Sequence, residues 1–228
     1  MEFFEVVEKR RSVRKYTKTP VPDQVVEKAL DAALLAPNSS NLQTWQFFWV
    51  SSEAKRTELA EACLNQNAAR TARHLLVVVA DRSRWKKIQQ ALLKKFREEN
   101  ALPLVFSYYE KLTPFLHGWA ILAPIKWLLF NVMGLFKPMA RRPWSRRDLD
   151  EISIKSAALA AENFMLAITA QGFDSCPMEG FDESRVKKSL GLKWPARVVM
   201  VVSVGERDPK GLWGDRYRVP KEWVVVKV

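Results

Sequence analysis

Ala36-Pro37-Asn38-Ser39-Ser40-Asn41-Leu42-Gln43-Thr44-Trp45-Gln46 decides how this chain is read. Before it, Val25, Val26, Ala29, Leu30, Ala33 and Leu34 recur with helical period, and Pro37 ends that helix. After it, Trp45 to Ser51 reads as a strand. These eleven residues hold four side-chain amides and two serines. A plain connection needs far less hydrogen-bonding capacity. Paired donors and acceptors on a loop can read the edge of a flat heterocycle.

Helices and short buried strands alternate outward from this loop. A first helix is predicted over Glu2 to Lys9, with Phe3, Val6 and Val7 inward. Pro22 and Asp23 mark the next helix start, because proline suits a first turn and an acid suits the positive helix end. Glu53 to Leu64 reads as helix, and His74 to Ala80 as a strand covered on both faces. Ser83 is a candidate cap for a helix continuing through Phe96. Residues 148 to 171 give the clearest helix, apolar almost all round, with Asp148 as cap and Gly172 as its end. Arg197 to Val204 is another strand, and Trp223 to Val228 is β-prone enough to join a sheet edge. The alternation indicates an α/β-type layered domain.

At 228 residues and 48% apolar content the chain buries a good core as one domain. Cys63 and Cys176 are too few for a disulfide framework and point to a reducing compartment. His74 and His117 lack metal-ligand spacing, so no metal site is expected. Met1-Glu2-Phe3-Phe4-Glu5 does not read as a signal peptide. Residues 84 to 147 hold 13 Lys or Arg against 3 Asp or Glu, so +10 of the net +12 sits there. That imbalance suits either an anionic partner or a solvated helical face. Within it, Trp119 to Phe136 is mostly apolar, and Lys137, Arg141, Arg142, Arg146 and Arg147 follow. Two readings stand: a segment lying on a membrane surface over about 119–147, or a helical excursion covering the active site or a partner subunit.

No Gly-rich phosphate loop, metal cluster or Ser/His/Asp arrangement is present in the sequence. Chemistry supplied by a bound redox cofactor fits that scarcity. Three further polar segments carry the argument: Arg10-Arg11-Ser12-Val13-Arg14-Lys15-Tyr16, Gly172 to Asp182 and Arg216 to Pro220. With the loop, in this order, they resemble the FMN-dependent nitroreductase family over nearly the whole chain outside about 84–147.

The resemblance implies an α+β layered fold. A central, mainly antiparallel sheet is flanked by helices, in an intertwined homodimer with FMN at the subunit interface. It implies that Arg10, Arg11 and Ser12 hold the ribityl phosphate side of FMN. Arg14 would lie near flavin N1 and O2, where a guanidinium favours negative charge on the reduced ring and raises its potential. Pro37, Asn38, Ser39 and Asn41 would contact flavin bound mainly by the other subunit. Asn38 stands where serine is commoner, and Thr44 where proline usually precedes Trp45. Asn65 and Gln66 look like the family's pair beside the ring. Pro177, Met178, Glu179 and Gly180 resemble the segment whose backbone lies beside flavin N5, and Arg216 and Arg218 the two basic phosphate ligands. No catalytic side chain is assigned, because flavin N5 does the chemistry. The implied activity moves electrons from NADH or NADPH to a nitroaromatic, a quinone or an activated alkene by a ping-pong mechanism. Localisation is expected to be cytoplasmic, peripheral to the membrane if 119–147 touches lipid. The rival reading is a non-catalytic basic membrane-surface module. No nucleic-acid motif supports a nucleic-acid partner.

Overall fold

The protein was analysed as a computed structural model, which describes residues 1–118 and 122–228. The start of the apolar segment at Trp119 therefore lies outside the described residues. Four strands form one sheet in the order β1-β2-β4-β3: β1 Trp45–Val50, β2 His74–Ala80, β3 Asp174–Met178 and β4 Arg197–Gly205. Every pairing is antiparallel. The α/β-type expectation is corrected here to α+β. The unbroken apolar run of β2, buried at all seven positions, reflects cover on both faces rather than parallel pairing.

Strand alternation divides that cover. Leu75, Val77 and Val79 face one core with Leu59, Cys63, Val186 and Val201. Leu76, Val78 and Ala80 face the other with Val26, Phe164, Ile168 and Val202. The first layer holds α3 (Glu53–Ala62), α4 (Asn67–Thr71) and α10 (Glu183–Leu190); the second holds α2 (Asp23–Leu34) and α9 (Arg146–Ala170). Burying each such Val or Leu contributes about 1.5–3 kcal/mol, so the two-sided sheet is the stable centre.

Helix α9 starts two residues before the predicted position. Ser145 is its cap, not Asp148; the Ser145 hydroxyl accepts from the Asp148 amide and the Asp148 carboxylate accepts from the Ser145 amide. Asp148 is thus the third residue of a capping box. By length and composition α9 could cross a bilayer, yet half of its apolar window is buried in the fold. Ser83 is not a cap either. It sits in a short turn capped by Asp81, and α5 begins at Trp85 and runs to Glu98. In α1 (Phe3–Lys9) only Val6 is buried; Phe3 and Val7 are exposed. Trp223 ends a short helical turn over Lys221–Trp223, and the residues after it form an exposed tail rather than a strand.

Between β2 and α9 the chain builds α5, α6 (Pro103–Ser107), a π-helical turn over Tyr108–Leu112, α7 (Thr113–Gly118) and α8 (Ala123–Phe136). Leu92, Leu93 and Tyr109 form a small core of their own, which also takes in Leu42 from the polar loop.

Candidate functional site

The two ends of the chain meet at the free edge of β3. Ser12 bridges Ser175 in parallel, and the Val13 amide donates to the Ser175 carbonyl at 3.1 Å. The tail closes over this segment. The Arg14 amide donates to the Gly211 carbonyl at 2.8 Å, and a Cβ at Gly211 would stand 2.6 Å from the Lys15 carbonyl oxygen. Only glycine permits that approach. Tyr16 pins the segment from behind; its buried hydroxyl lies 2.8 Å from Ser203 Oγ, and burial pushes its pKa up.

Arg10, Arg11, Ser12 and Arg14 thereby line one cleft of about 210 Å³ with Leu212, Trp213, Asp215, Arg216, Tyr217 and Arg218. Five guanidiniums share it with one carboxylate. Arg11 donates to the Gly214 carbonyl at 2.7 Å, and the Arg14 guanidinium stacks 4.2 Å above the Trp213 ring. Arg216 donates to the Arg10 and Val7 carbonyls, which ties the tail to α1. Burial, then repulsion from Arg218, Arg11 and Arg10, lowers the Arg216 pKa. Such crowding of like charge is relieved by an anion. Arg10 pairs with Glu162 on α9 at 3.7 Å.

The remaining predicted residues lie elsewhere. Gln66 donates to the Gly180 carbonyl at 2.7 Å, so the Asn65-Gln66 and Pro177–Gly180 segments adjoin. Neither lines the basic cleft. Met178 packs into the core, leaving only its backbone for a ligand, while Glu179 and Gly180 are exposed. Asn65 has φ +53° and donates its amide to the Ala60 carbonyl, which gives it a helix-ending role of its own. It lines a separate hollow of about 680 Å³ beside Lys15, Tyr16 and Arg73.

Pro37, Asn38 and Ser39 line a third hollow, against Ile152, Lys155, Ser156 and Leu159 of α9. None of Pro37 to Asn41 lines the basic cleft of the same chain. The Asn38 side chain is already used inside the loop, accepting from the Gln43 amide at 2.8 Å and donating to the Ala36 carbonyl at 3.3 Å. Sequence reasoning missed Trp213 and Tyr217 as cleft walls, though aromatics beside Arg216 and Arg218 were the available signal. It also missed Tyr108 and Tyr109. Tyr109 donates to the Ser40 carbonyl at 2.9 Å, and the Tyr108 hydroxyl lies 2.6 Å from Ser40 Oγ.

The profile of the nitroreductase family matches residues 7–206. The chain belongs to the nitroreductase family. An NADH dehydrogenase of Thermus thermophilus is 31% identical over 218 residues, covering 96% of this chain and 92% of the relative. A 4-nitrobenzoate reductase of Pseudomonas putida is 25% identical, over 97% of this chain and 92% of its own. The fold matches a structure from Exiguobacterium sibiricum solved in complex with FMN, at a TM-score of 0.74 and 21% identity, covering 100% of this chain and 98% of the other. A nitroreductase-type layered sheet is thus present here.

Proposed function

We propose that this chain is a single-domain, FMN-dependent oxidoreductase that takes electrons from NADH or NADPH and passes them to a small organic acceptor. The cluster of five guanidiniums from both chain ends around one small cleft carries the reading. A phosphate dianion fits it. Arg218 and Arg11 offer planar forks that can bind phosphate bidentately, and an anion there relieves the repulsion that lowers Arg216. Arg10, Arg11, Ser12, Arg216 and Arg218 would hold the phosphate, and Arg14, steadied on Trp213, would lie toward the ring. FMN supplies two-electron acceptance and return, so donor and acceptor take turns on one surface, a ping-pong scheme.

The chain's own residues bind and orient. No side chain is required to move a proton. Cys63 and Cys176 are buried with raised pKa, Cys63 to about 11, which keeps both as unreactive thiols. The Asn65-Gln66 and Pro177–Gly180 segments form a second contact surface, fixed by the Gln66 to Gly180 bond. Pro37, Asn38, Ser39 and Asn41 would serve the flavin of a second copy. That none of Pro37 to Asn41 lines the basic cleft of its own chain supports this reading of a homodimer. The acceptor class is a nitroaromatic, a quinone or an activated alkene, and the compartment is the cytoplasm.

Purified protein should be yellow, and its flavin absorbance near about 450 nm should bleach on anaerobic NADH or NADPH and return with acceptor. A colourless protein that takes up no FMN when reconstituted would instead support a non-catalytic basic module.

A further inference from the structure

Helix α8 is built inside out. Lys126 is 2% exposed, its ammonium donating to the Leu116 carbonyl and lying 5.2 Å from the Phe115 ring. Close by, His117 is half-buried, its pKa lowered to about 4 by burial and by Lys126. The opposite face carries Ile125, Leu128, Leu129, Val132, Leu135 and Phe136. Their spacing of three and four residues makes one continuous stripe. The stripe points outward, with Leu135 75% and Phe136 84% exposed. A helix in water puts its lysine outside and its leucines inside. The reversed arrangement needs an apolar medium against that face.

Charge identifies the medium. Lys137, Arg141, Arg146 and Arg147 follow the stripe and are exposed. Among the described residues none of the four is paired with a carboxylate. Arg141 donates to Asn131 Oδ1 and to the Gly134 carbonyl, which fixes a cation at the C-terminal end of α8. Trp127 is half-exposed on the same helix. Two copies meeting through this face would bring together two segments that each carry +10 over residues 84 to 147. An anionic lipid surface accepts both halves, the stripe among its acyl chains and the cations at its headgroups.

We infer that α8 and the basic run after it dock this protein onto an anionic bilayer, with the Ile125-to-Phe136 stripe inserted below the headgroups. The test uses the flavin-loaded full chain and sedimentation with vesicles of phosphatidylcholine, alone or mixed with phosphatidylglycerol. The parent should pellet with the anionic vesicles at low salt, less at high salt, and stay free of the neutral ones. Leu135→Asp with Phe136→Asp should lower the partition at least about tenfold. Both positions are exposed, so flavin content and flavin reduction should be unchanged. Lys137→Glu with Arg147→Glu should weaken binding at low salt and remove its salt dependence. Brominated acyl chains should quench tryptophan emission less in Trp127→Phe than in the parent. Failure of the parent to bind anionic vesicles at low salt overturns the inference. So does undiminished binding of the aspartate pair, which would show adsorption by charge alone. If the parent ignores vesicles and the aspartate pair sediments as a smaller species, the stripe is covered by a second copy instead.

Discussion

Arg218→Ala isolates the phosphate contact from the fold. The Arg218 guanidinium is exposed, and among the described residues its hydrogen bond runs to the carbonyl of its neighbour Tyr217 at 2.8 Å. Removing such a side chain changes stability by no more than about 0.5 kcal/mol. Arg216 is a poorer probe, because it also ties the tail to the Arg10 and Val7 carbonyls. A hydrogen bond to a charged group contributes about 1.5–3 kcal/mol. Its loss should raise the FMN dissociation constant about 10- to 150-fold at 1.4 kcal/mol per decade. Arg218→Lys should recover only part, since an ammonium cannot make two parallel bonds to one phosphate. The assay is quenching of FMN fluorescence by titrated apo-protein at fixed ionic strength, with the apo-protein melting temperature as control. An unchanged FMN affinity in Arg218→Ala would refute the assignment of the basic cleft to the phosphate.

Arg14→Gln should lower the flavin potential and slow reduction by NADH or NADPH, because charge gathering on the reduced ring loses a cation held by Trp213; redox titration of the holo-protein reads this directly. Sedimentation velocity at assay concentration should show a dimer with bound FMN, and a stable flavin-loaded monomer would contradict the shared site. Tyr109→Phe deletes the hydroxyl bonded to the Ser40 carbonyl and should loosen the loop by about 0.5–1.5 kcal/mol, seen as faster amide exchange at Asn41 and Leu42. At Asp148 burial works to raise the pKa, but the Ser145 hydroxyl, the Trp144 and Ser145 amides and Arg142 outweigh it, and the carboxyl titrates below its usual range. Its stabilisation is therefore full above the unfolded value of about 3.9 and is lost as pH falls through the folded one. Asp148→Asn should be less stable near neutrality and converge on the parent in acid, by urea melts across that range.

Periodicity was legible where burial is decided within one chain. The His74–Ala80 strand and the Asp23 start of α2 stand where the pattern places them. Caps were read less well. Asp148 and Ser83 both carry capping chemistry, but Ser145 and Asp81 lie at the geometric positions, and shifts of two or three residues are invisible to composition. Parallel and antiparallel strands covered on both faces share the same apolar run, so sheet direction was not legible from β2. Phe3, Val7 and Leu34 were assigned inward by pattern and are exposed in the single chain. Their apolar character signals a surface that a lone chain does not cover. For the site, the residues of the basic cleft were readable because both motifs are compact in sequence. Their convergence required the tail to fold back past Gly211, which no local pattern encodes.

The helices of residues 84 to 147 pack against the polar loop. Ser40, Asn41 and Gln43 hold φ values of +54°, +50° and +43°. Each costs about 1–2 kcal/mol in a residue with a Cβ, somewhat less in asparagine. Left alone, the loop would relax out of this shape. Three features oppose that: the Tyr108 and Tyr109 hydroxyls on Ser40, the Gln43 amide on Asn38, and the burial of Leu42 to 1% among Leu92, Leu93 and Tyr109. Two or three bonds of about 1 kcal/mol and a buried leucine of about 1.5–3 kcal/mol are of the size needed. Two of these supports come from residues 84 to 147. Residues 84 to 147 therefore help to set the shape of the loop from Asn38 to Gln43. Helix α8 meets α7 through Lys126 on the Leu116 carbonyl and Phe130 against Phe115, and α7 continues directly from the π-helical turn that bears both tyrosines.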